Sequence, residues 1–60
     1  MYFKELYAIQ YTTDGAEHNI EMWVTKDVAI LLIVGLEQAG ATDMSLLRWD
    51  GDWFCREKLV

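Results

Sequence analysis

Apolar and polar positions alternate along the first thirteen residues. Phe3, Tyr7, Ile9 and Tyr11 fall on one parity, with Lys4, Ala8, Gln10 and Thr12 on the other. Period two with aromatic and β-branched residues predicts a half-buried strand. Asp14-Gly15 follows, a strong two-residue turn signal, because a type I′ turn needs positive φ at both central positions. That turn pairs Thr13 with Ala16 and fixes every rung beyond it. Tyr11 meets His18, Ile9 meets Ile20 and Tyr7 meets Met22 on an apolar face; Thr12–Glu17, Gln10–Asn19 and Ala8–Glu21 make a polar one. Leu6 opposite Trp23 is an apolar pair on the polar face.

The alternation stops at Thr25. Val28 to Val34 holds no polar side chain, and the run continues to Gly40. Thr25 offers a hydroxyl to the free amides of a first helical turn, and Asp27 favours its positive end. Gly40 suits the left-handed position after a helix. A single helix over Thr25–Gly40 is expected, with Val28, Leu31, Leu32, Gly35 and Ala39 as its core stripe at i, i+3, i+4, i+7 spacing. Ile30, Ile33 and Val34, with Glu37 below them, then turn outward as a surplus apolar face.

Met44–Trp49 and Trp53–Val60 form a second pair of strands around Asp50-Gly51. A three-residue loop, Asp50-Gly51-Asp52, segregates charge best. It puts Leu47, Trp49, Trp53, Cys55 and Leu59 on the core face, with Met44, Leu46, Arg48, Phe54, Arg56 and Lys58 on the other. The expected fold is α+β: a ββαββ chain forming one small domain over residues 1–60, with a four-stranded, mostly antiparallel sheet and one helix on one face. With the terminal strands central and parallel, the strand order is 2-1-4-3. In element order alone this resembles small β-grasp domains, such as the immunoglobulin-binding modules of bacterial surface proteins.

Composition narrows what such a domain does. Sixty residues bury only about 60% of their unfolded surface, so the fold is marginal without help. One cysteine excludes an internal disulfide, and His18 and Cys55 are too few for a zinc site, so no metal or cofactor is expected. The remaining aids are close packing and self-association. The apolar run is too short to span a bilayer and is not placed as a signal peptide, which points to a cytoplasmic protein with no membrane contact. Ten acids against five Lys and Arg give a net charge of −5, which argues against direct nucleic-acid binding.

No motif for phosphate binding or Ser-His-Asp chemistry is present. A Cys55–His18 catalytic pair needs a thiolate in a polar, accessible site, whereas both residues fall on predicted core faces. Glu17 and Glu21 share an open sheet face, where solvation keeps two carboxylates alike. Asp50-Gly51-Asp52 is explained by turn chemistry without calcium. Arg48, Phe54, Arg56 and Lys58 could make a basic aromatic strip, but Glu17 and Glu21 on the same face weaken its field. The sequence therefore points to a non-enzymatic protein–protein interaction module. It is a small acidic protein that self-associates, as a homodimer, or docks on another protein through Ile30, Ile33, Val34 and Glu37, with Leu6 and Trp23 as a secondary patch. The alternative is an acidic inhibitor whose carboxylates mimic nucleic acid and block a basic nucleic-acid-binding protein.

Overall fold

In the computed structural model, which describes residues 3–58, the first hairpin takes the register its turn demands. Strands β1 (Glu5–Thr13) and β2 (Ala16–Val24) pair from Thr13–Ala16 to Glu5–Val24 without a break. Asp14 and Gly15 sit at φ +51° and +78°, the left-handed pair that a type I′ turn requires. Helix α1 (Lys26–Gln38) starts at Thr25, whose hydroxyl accepts from the Val28 amide at 3.4 Å. It ends at Gly40, φ +98°, where Gly40 N–H donates to the Glu37 carbonyl and Ala41 N–H to that of Leu36, both at 3.0 Å. These two bonds make a Schellman closure, and the Ala41 that follows it is buried.

Strands β3 (Thr42–Trp49) and β4 (Phe54–Arg56) complete an antiparallel four-stranded sheet of order β2-β1-β3-β4. The α+β class and single helix agree with expectation; the order 2-1-4-3 and the parallel central pair do not. Two features decide this. The tight helix closure delivers the chain beside the end of β1, where Thr42 pairs Thr12. Beyond it, β3 offers Met44 and Leu46 to the core, with Leu46 opposite Ile9, whereas the last strand is three residues long and ends among charges. Since β1 is antiparallel to both neighbours, β2 and β3 run parallel and α1 is their crossover.

The second hairpin also departs from the expected register. Its loop has four residues, Asp50 to Trp53, and pairs Trp49 with Phe54, Arg48 with Cys55 and Leu47 with Arg56. Asp50 explains the extra residue: its Oδ1 accepts from the Asp52 and Trp53 amides at 3.0 and 3.2 Å, and its own amide donates to the Trp53 carbonyl. Trp53 is thereby drawn into the loop. Met44, Leu46, Arg48 and Cys55 face the helix, while Leu47, Trp49, Phe54 and Arg56 face away, so the supposed basic strip loses Arg48. Leu59 lies outside the described residues.

The helix packs on β1 and β3. Tyr7, Ile9, Ala29, Ile33 and Leu46 form the buried centre, with Tyr11, Met22, Val24, Ile30, Leu36 and Met44 around it. The helix is thus rotated from the expected setting. Ile33 is 5% exposed and lies in the core, and Ile30 is half-buried beside it; Val28, Leu31 and Leu32 are exposed instead. A helix apolar on every side has no periodicity to choose its face. Fit to the sheet chooses it: Ala29, fully buried, lets the helix approach closely, and Ile33 and Leu36 one and two turns on fill the space left.

Candidate functional site

The rotation changes which residues form the apolar surface. Val28, Leu31, Leu32 and Gly35 lie one or two turns apart on one exposed stripe, with Leu31 68% exposed, and Val34 is exposed beside them. Of the expected interface residues, Val34 and Glu37 are exposed, Ile30 is partly covered and Ile33 is excluded. The signal that marks the outer stripe is not its hydropathy, which matches the inner one, but bulk: small Ala29 belongs against the sheet.

A second apolar surface crosses the sheet face opposite the helix. Leu6 and Trp23 are paired across β1 and β2 as expected. The order of the sheet adds Trp49 and Phe54 to their row, with Leu47 beside Ala8 in the next. Trp49 and Phe54 stack edge to face with centroids 5.2 Å apart, and Trp23 is 65% exposed. The sequence alone marks only the first half of this row, because a three-residue loop at Asp50 places Trp49 in the core.

Around the start of the helix sits a charged cluster that the pattern of residues did not announce. Arg48 forms a hydrogen-bonded ion pair with Glu57 and approaches Glu5 at 3.8 Å; Lys26 reaches Glu57 at 3.5 Å. The Tyr7 hydroxyl donates to Glu5 Oε2 at 3.0 Å. The Arg48 hydrogen bond holds the Glu57 carboxyl below its ordinary 4.5, with Arg48 and Lys26 charge adding to it and partial burial opposing. Because the folded value is the lower one, this contribution is fully present above pH 4.5 and is lost as pH falls through the depressed value. Glu57→Gln should therefore flatten the acid limb of a stability-versus-pH curve measured by urea denaturation; an unchanged limb would place the acid sensitivity elsewhere. The cluster is a clasp: it ties β4's exit, β3, β1 and the helix together.

The candidate catalytic residues are not assembled. His18 lies on edge strand β2, stacked on Tyr11 at 5.0 Å with its Nε2 2.8 Å from Thr13 Oγ1, and it is exposed instead of buried. Cys55 lies on β4, the opposite edge. Its thiol donates to Asp50 Oδ2 at 3.3 Å, and this bond, with desolvation, raises its pKa and keeps it protonated. Such a thiol is a poor nucleophile. Asp50 is held low by the Asp52 and Trp53 amides, so its carboxylate serves the loop. Glu17 and Glu21 stay on the exposed face of β2, where Glu17 joins His18, Asn19 and Asp43 around an open polar depression. Among the described residues, no three His, Cys, Asp or Glu side chains converge on a metal-sized site, and no helix is long and apolar enough to cross a membrane. No protein-family model, curated protein or solved structure significantly matches this chain.

Proposed function

We propose that the chain is a non-enzymatic protein–protein interaction module that self-associates, or docks on a partner, through the exposed stripe of its helix. One observation carries this reading. Val28, Leu31, Leu32 and Val34 are four large aliphatic side chains exposed on a helix of 13 residues. Single exposed apolar residues are ordinary, but a contiguous set marks an interaction surface. Self-association also adds stability by mass action, which a 60-residue fold needs. The acidic-inhibitor reading rests on Glu17 and Glu21, which are exposed on β2; Glu5 and Glu57 are engaged by Arg48 and add nothing to it. A reducing, cytoplasmic setting suits a thiol held protonated by Asp50.

Sedimentation velocity over a wide concentration range tests the proposal. The expected result is a concentration-dependent rise in mass that Leu31→Glu abolishes without changing the circular dichroism spectrum. A chain that remains monomeric, and whose capture of host proteins is unaffected by Leu31→Glu, would sink it.

A further inference from the structure

The two edges of the sheet are built differently. β4 is three residues long, ends on Arg56 and is followed by Glu57 and Lys58, the short, charged form that discourages pairing with another chain. β2 is nine residues long, pairs with β1 without a bulge, and contains neither proline nor lysine. Its outer side is unpaired. The two-residue turn closes on Thr13–Ala16 as a hydrogen-bonded pair, so the even-numbered residues of β2 direct their amides and carbonyls to β1. Glu17, Asn19, Glu21 and Trp23 direct theirs outward.

We infer that this edge pairs with the same edge of a second copy, antiparallel and centred on Ile20. The inference deepens the self-association reading above and rests on it. Charge selects the register. Centring on Asn19 sets Glu17 against the partner's Glu21, and centring on Glu21 sets that carboxylate against its own copy; like charges directly opposite are destabilising. Centring on Ile20 sets Glu17 against the partner's Trp23 and Asn19 against the partner's Glu21. All four outward residues then exchange both backbone bonds with the partner. On the helix side, Ile20 meets the partner's Ile20 and His18 meets the partner's Met22.

The apolar flank of the helix lies on the same side of the molecule. Lys26 reaches Glu57 next to β3. At about 100° per residue, Val28, Leu32 and Gly35 lie on the opposite flank, over the β2 side. Beneath them Ile20 is 39% exposed, because the helix packs mainly on β1 and β3 and covers β2 only toward Met22 and Val24. Pairing through β2 places two such flanks on either side of the central Ile20 pair. The result is a two-fold symmetric dimer with a continuous eight-stranded sheet.

Two variants read this pairing directly. Asn19→Pro removes an outward amide that no bond within the chain uses, and edge positions accept proline. It should raise the dimer dissociation constant at least tenfold while the circular dichroism spectrum stays the same. In a Cys55→Ser background, Ile20→Cys should form an intermolecular disulfide under mild oxidation, because directly opposed residues in a non-hydrogen-bonded pair lie about 4.5 Å apart, within disulfide reach. Glu21→Cys should not, its own copy being displaced along the strand. A dimer that survives Asn19→Pro, fails to cross-link at Ile20 and is lost with Leu31→Glu overturns edge pairing and leaves the helix-mediated reading standing. A chain that stays monomeric throughout overturns the edge pairing outright.

Discussion

Ile33→Ala should remove about 2–5 kcal/mol of stability, whereas Leu31→Ala, two residues away, should change it by no more than about 0.5 kcal/mol. Ile33 is 5% exposed and packs with Tyr7, Ile9, Ala29 and Leu46, so truncation leaves a cavity between helix and sheet. Leu31 projects into solvent and leaves none. A core of this size supports only about 3–5 kcal/mol in total. The first variant should therefore be largely unfolded at ambient temperature and the second indistinguishable from the parent in a urea titration at low protein concentration. The reverse ranking would mean that the helix sits on its other face, which is the setting its sequence pattern predicts. At higher concentration, where self-association contributes, Leu31→Ala should begin to show a loss.

Alkaline conditions should produce the second large effect. The Tyr7 hydroxyl is pushed up from 10.0 to about 12, first by burial, then by its hydrogen bond to Glu5 and the Glu5 and Glu57 charges, with Arg48 opposing. The folded state therefore prefers the neutral phenol. Its contribution is complete below pH 10 and is lost as pH rises toward 12, to an extent of roughly 2–3 kcal/mol. That is enough to unfold a domain of this size. Cys55 acts in the same direction, its thiol also being raised, so the measurement belongs in a Cys55→Ser background. There, the part of the tyrosinate absorbance that Tyr7→Phe removes should rise together with loss of ellipticity above pH 10. Tyr7→Phe should flatten this limb and delay alkaline unfolding. If ionisation of Tyr7 precedes unfolding, its hydroxyl is not held as the structure places it.

The chain's two hairpins differ in how much of their geometry is local. Asp14-Gly15 fixes a two-residue loop, and everything from Tyr7–Met22 to Thr13–Ala16 follows by counting, because each strand alternates faces with a period of two. Asp50-Gly51 carries the same dipeptide but not the same turn. There the Asp50 side chain captures two amides and enlarges the loop to four residues. One added residue exchanges the faces of β3 relative to β4, which moves Leu46 and Arg48 toward the helix and Leu47 and Trp49 to the open face, while Cys55 and Phe54 keep their expected sides. Local composition could announce a turn at this point; which amides the carboxylate would take depended on the strands meeting beyond it.

By itself, the sequence determined the elements whose causes lie within a few residues: the first hairpin, the Thr25 and Gly40 ends of the helix, and hence one helix against an antiparallel sheet. Tertiary structure alone decided the strand order, the register of the second hairpin, the clasp of Glu5, Tyr7, Arg48 and Glu57, and the face that the helix buries. The reason is the same in each case. These features depend on the fit between segments distant in the chain, and the hydropathy of the helix is nearly the same all round. Where periodicity offers two equivalent faces, the volume of Ala29 against the sheet and the reach of Lys26 to Glu57 choose between them.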